Sequence, residues 1–99
     1  GIGDTFTPDV TQYALARALR VEQVTNGNPS LESIGIANPP VTGNEHAAGE
    51  TVTAVVALYQ PATGEDGHYV IFDLADAQTQ VGQFLATAVV DGVPTVVAP

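Results

Sequence analysis

The pattern of apolar and polar positions opens with a helical period. In TPDVTQYALARALRVEQV, Ala14, Leu15, Ala18 and Leu19 recur at i, i+1, i+4 and i+5, with Val10 one turn earlier. That is the stripe of an amphipathic helix. Thr7 suits the N-cap, Pro8 the first helical position and Asp9 the first turn. Arg17 and Arg20 fall in the C-terminal half, where cations complement the helix dipole, so both have a structural role that requires no ligand. The pattern predicts a helix over about 8–20, with 24 as its furthest reach. Residues 1–7, GIGDTFT, precede it as a short arm with two glycines and two apolar anchors, Ile2 and Phe6.

Past TNGNPS, Thr25 to Ser30, which breaks the pattern, the period shortens. LESIGIA predicts a short strand over 31–37. NPPVTGNEHAAGE, 38–50, reads as a long polar loop opened by a double proline, and loops of that length in small domains often carry contacts. TVTAVVALY, 51–59, is β-branched and apolar on both faces, as an interior strand covered on each side is. QPATGEDG forms a loop, and HYVIFDL predicts a strand antiparallel to the one before it. ADAQTQVGQ, 75–83, is either a short helix capped by Asp73 or an irregular crossing. FLATAVVDGVPTVV reads as a hairpin turning at Asp91-Gly92. Pro94 lacks a donor and so places the last strand at a sheet edge. The chain, 1–99, is thus read as one domain of the α+β class, with an N-terminal helix packed on a mainly antiparallel sheet of four to five strands. A mainly-β sandwich with a helical arm is the alternative.

Composition narrows the function classes. Two basic residues stand against eleven acidic ones, for a formal net charge of −9. Nucleic acid requires a basic footprint, and anionic membrane surfaces require the same; neither is an expected partner. No apolar run reaches the roughly 20 residues of a membrane span, so no membrane insertion is expected. The absence of cysteine removes disulfide frameworks, thiol catalysis and Cys-ligated metals. The absence of lysine removes Schiff-base chemistry and a P-loop. The chain starts at Gly1 and has no Met, which leads one to expect an initiator removed by Met excision, leader cleavage or trimming. Only 13% of residues are charged while 44% are apolar, against about 25% charged in an ordinary soluble domain. Part of such a surface is expected to be covered by other subunits. A Thr/Ala-rich domain kept dispersed by its charge is the competing reading, and a salt-adapted source would also produce an acidic, Lys-poor chain.

TGEDGHYVIFD, 63–73, gathers Glu65, Asp66, His68 and Asp73. Its spacing fails the calcium-loop requirement for alternating oxygen ligands and a bidentate acid at the twelfth position. On a strand, His68 and Asp73 point to opposite faces, so the stretch reads as a polar turn entering a strand. His46, beside Glu45, has too few partners for a zinc site, which takes three or four converging ligands. Ser30 and Ser33 are the only serines, and neither sits in a nucleophile elbow. No catalytic, metal or cofactor residue is therefore assigned.

The arm and the chain end form the stronger constellation. Ile2 and Phe6 on one side, and Val93, Val96 and Val97 on a terminal edge strand, are the predicted interface, since an edge strand offers unpaired N–H and C=O groups to another chain. The leading expectation is a non-catalytic structural subunit that self-assembles or decorates a virion, filament or surface layer. Its partners are copies of itself or another structural protein, in an extracellular or virion setting. A small exported binding or inhibitor module using the 38–50 loop is the alternative, and a minor enzyme or accessory domain the third.

Overall fold

The computed structural model describes all 99 residues. It mixes helix and strand, 35% and 17% of the chain, which places it in the α+β class broadly. The sheet departs from expectation. Its three strands are β1 (Glu22–Val24), β2 (Ile36–Ala37) and β6 (Val55–Val56), in the order β2-β1-β6, and both pairings are parallel. The antiparallel pairs are minor ones. β3 (Val41–Thr42) pairs with β7 (Thr95–Val96), and β4 (Glu45–Ala47) pairs with β5 (Glu50–Val52).

Helix α1, Asp9–Leu19, lies close to its predicted span. Pro8 rather than Thr7 occupies the N-cap, with extended backbone, and its carbonyl accepts the Thr11 and Gln12 N–H groups. The helix ends where Arg20 turns left-handed and donates its N–H to the Arg17 carbonyl. Arg17 reaches across with Nε and Nη2 to the Glu32 carbonyl, at 3.1 and 2.8 Å. The inward face of α1 is not the predicted stripe. Ala16 is buried and Tyr13 half-buried, whereas Leu15 and Leu19 remain 59% and 62% exposed. The small Ala16 allows the helix to sit closely on Leu31 and Leu58, and the rotation that achieves this turns the leucines outward.

The second half of the chain is helical where the sequence pattern predicts strands. Asp66 caps a 3₁₀ turn, Gly67–Tyr69, which runs into a short α2, Val70–Asp73. Helix α3 then extends from Ala75 to Asp91. The predicted hairpin at Asp91-Gly92 is a helix terminus, with Gly92 left-handed at φ 77°. Glycine with positive φ serves a helix C-terminus as well as a two-residue turn. The inward positions Ala77, Gln80 and Phe84 follow the helical period and decide between the two. The 51–59 strand is also shorter than predicted. It breaks into β5 and β6 because Thr53 turns inward, donating its hydroxyl to the Pro94 carbonyl and accepting the Gly43 N–H. Within the expected polar loop 38–50 lie β3, β4 and the start of β5, the last two joined at Ala48 and Gly49, both left-handed.

The sheet carries apolar side chains on both faces. Val24, Ala37, Val41 and Val96 cluster with Val55, Ala57 and Phe84, under α3 and the β3–β7 pair. Ala16, Leu31 and Leu58 cluster with Ile2, Tyr13, Val21, Ile34 and Val56, under α1. The core is thin, with 14 of 99 residues buried, and polar side chains fasten it. Gln23, in the central strand and 1% exposed, donates from Nε2 to the Pro29 carbonyl at 3.0 Å and accepts the Leu31 N–H at 2.7 Å. Gln80 donates to the Val97 carbonyl and accepts the Tyr59 hydroxyl. No helix is long and apolar enough to cross a membrane. Replacing Gln23 by Leu preserves bulk but orphans two backbone groups. It should cost about 1–3 kcal/mol, read as a lowered urea midpoint, and should loosen amide protection at Leu31 ahead of α3.

Candidate functional site

Three surfaces come into question. The first is where the arm meets the 63–73 stretch. Ile2 donates its N–H to the Tyr59 carbonyl at 2.9 Å, and Gly67 donates to the Gly3 carbonyl. Asp4 accepts the Phe6 and Thr7 N–H groups, both at 2.8 Å, and faces Nδ1 of His68 at 3.3 Å. Asp66 accepts the His68 N–H at 2.8 Å, the Thr5 N–H and the Thr5 hydroxyl. The His68 ring lies between Phe6 and Tyr69, with ring centroids at 4.7 and 5.0 Å. His68 therefore meets an acid of the arm, while Asp73 sits at the end of α2. The strand that would hold these two on opposite faces does not form.

The electrostatics of this clasp favour ionised acids. Partial burial of Asp4 opposes its charge, but the Thr7 and Phe6 N–H groups and the His68 ring outweigh that and hold the carboxyl below its ordinary range. Asp66 is lowered as well, chiefly by the Thr5 hydroxyl and then by the His68 N–H. The Thr5 hydroxyl is bound by Asp66 and not by the imidazole, so the contacts of His68 position a segment rather than activate a nucleophile. No three His, Asp or Glu side chains gather as metal ligands do.

The second surface is the β4–β5 hairpin. His46 lies exposed on it, opposite Thr51. Its base is rigid, because the Asn44 carboxamide brackets Ala54, accepting its N–H and donating to its carbonyl, each at 3.0 Å.

The third surface is a groove of about 580 Å³ between α1 and α3. Leu15 and Leu19 form one wall, Val81 and Phe84 the other, and residues 53–57 the floor. None of the residues lining it is charged, on a chain of net charge −9. Val55 and Ala57 face the α3 side of the sheet and Val56 the α1 side. A groove that touches all three consecutive residues therefore looks at the edge of β6 rather than at either sheet face.

The predicted interface residues are dispersed over the molecule. Ile2 packs on the Ala16 cluster, and Val96 lies in the other cluster, buried and paired with Val41 in a two-stranded pair. Phe6 is 68% exposed, while Val93 and Val97 are half-buried. Sequence reasoning misses the groove because it takes the Leu15/Leu19 stripe for core. Val81, Leu85 and Val89, spaced i, i+4 and i+8, are the second signal, hidden by the hairpin reading of 84–97.

Because the native carboxyls of Asp4 and Asp66 sit below their unfolded values, the clasp is at full strength above about pH 3.9 and is lost as pH falls through the lowered native values. Hydrogen-exchange protection of residues 2–7 should be level from pH 7 to 5 and collapse below about pH 4, before that of α3; Asp4→Asn should lower it already at pH 7. At Gly67 an added Cβ would collide with the Ile2 carbonyl and the Asp4 amide, so Gly67→Ala should cost about 1–3 kcal/mol by urea denaturation and expose the arm to proteolysis.

Comparison of the chain with protein-family models, curated proteins and solved structures finds no match in any of the three.

Proposed function

We propose that this chain is a non-catalytic structural subunit that packs against copies of itself or another structural protein within a larger assembly, of the kind found in virions, filaments and surface layers. One observation carries the reading: an uncharged, apolar groove flanked by outward-turned leucines and valines, on a small chain whose remaining surface is acidic. Leu15, Leu19 and Val81 stand against water where they are. Covering each contributes on the order of 1 kcal/mol, part of the 1.5–3 kcal/mol available for a fully exposed side chain. The interface proposed here is centred on α1 and α3. Phe6 stands exposed at the arm, outside that centre, while Ile2 and Val96 serve the chain's own core.

The net charge acts as a brake. Acidic copies repel at low ionic strength, and salt screens that repulsion over a Debye length of about 8–10 Å while leaving apolar contact intact. A second reading, a small exported binding or inhibitor module, is favoured by the exposed β4–β5 hairpin on its rigid Asn44 base.

Light scattering coupled to size exclusion separates the two. The expected result is a mass above 10.1 kDa that rises with salt, and at least a tenfold weaker association for Leu19→Glu and Val81→Glu. Replacing Ala47–Gly49 in the hairpin should leave the mass unchanged. A single-chain mass at every salt concentration, or association insensitive to both groove variants, overturns the subunit reading built on this face.

A further inference from the structure

The floor of the groove is backbone as well as side chain. Strand β6 pairs with β1 on one side only. Beyond that ladder the main chain of Val55, Val56 and Ala57 makes no hydrogen bond; the Asn44 carboxamide stops at Ala54. Edges of this kind are ordinarily guarded by a charge, a proline or a covering element. β6 has no guard, and α1 and α3 stand on either side of it without closing over it.

We infer that two copies of this chain join edge to edge through β6, antiparallel across a two-fold axis, making one six-stranded sheet in the order β2-β1-β6-β6-β1-β2. This rests on the reading of the chain as a self-associating subunit and names the contact by which it associates. The axis runs perpendicular to the sheet, so each face of the sheet meets its own counterpart. Leu15 and Leu19 of α1 then lie against the same residues of the second copy's α1, and Val81 and Leu85 of α3 against those of its α3, an isologous contact.

Two quantities favour a second copy over another occupant. The first is area. A folded chain of 10.1 kDa is expected to expose about 5,300 Å², and this one exposes 6018 Å². The excess of about 700 Å² is close to the roughly 800 Å² that each partner buries in a standard interface. The second is charge. Two chains of net charge −9 meet with least repulsion where neither carries a carboxylate, and the groove is such a place.

The chain has no cysteine, so variants carrying a single one report contacts without interference. Val55→Cys and Val56→Cys each keep the residue small, and Val89→Cys, at a position 87% exposed near the end of α3, serves as control. Mild oxidation of the purified chain in high salt should link most of the Val55→Cys or Val56→Cys material into dimers and at least tenfold less of the Val89→Cys material. On the unmodified chain, amide exchange at residues 55–57 should slow at least tenfold between micromolar and millimolar protein. A scattering mass above one chain, with neither β6 variant linking and no concentration-dependent protection, overturns the β6 contact and leaves association standing. A single-chain mass throughout overturns both.

Discussion

One carboxamide holds the centre of this molecule. Gln23 occupies the middle strand of a three-stranded sheet whose strands are two or three residues long. Ladders this short contribute few hydrogen bonds, and a polar group buried without partners costs free energy comparable to what they supply. Gln23 meets both demands by binding Pro29 and Leu31. The 25–35 connection, which contains no regular element, is thereby folded back onto β1 so that Leu31 enters the core and β2 arrives in parallel register. The same device recurs in Thr53, which ties β3 to the β7 approach, and in Gln80, which ties α3 to the chain end and to Tyr59. A thin apolar core is held in shape by a few buried polar side chains, each with its partners.

That arrangement explains which features can be read from the amino-acid order. The first helix is legible because Pro8, Asp9 and an apolar period coincide. Its orientation is not, because two stripes compete on it, and the smaller residues, Ala16 with Tyr13, prevail by allowing closer approach to the sheet. The class is legible and the strand pairing is not: β-branched runs at 51–59 indicate a strand wherever its partners lie, and parallel partners come from distant parts of the chain. The C-terminal third misleads for a local reason. Asp91-Gly92 marks a change of direction without saying what precedes it, and Val89 and Val90 suit a strand as readily as an exposed helix end. At the site, 63–73 is legible as a turn with a structural job. Its partner, the Asp4 arm, is not, since the pairing spans most of the chain.

The surface divides into two regimes. Acidic side chains cover the outside and set a repulsive field around it, while the strip between α1 and α3 is apolar and uncharged. Helix α3 is apolar on two sides: Ala77 and Phe84 turn to the core, and Val81, Leu85 and Val89 stand outward. A helix built in this way is stable in the fold through one side and leaves the other for association, so the residues that keep the chain folded and those that would join it to a neighbour can vary independently.

The parallel register of β1 also bears on how the chain reaches this structure. Gln23 aligns with Ile36, and Glu22 with Val55, so neither neighbour of the central strand is supplied by local sequence. Contacts within α1, α3 and the β4–β5 hairpin close over short loops and form early, whereas the two pairings of β1 must wait for long loops to close, at an entropic cost that rises with loop length. The sheet is thus the last part to assemble. Until it does, the residues of β6 have neither β1 nor any other strand beside them, and the interval between helix formation and sheet closure is the period in which this chain is most open to pairing out of register.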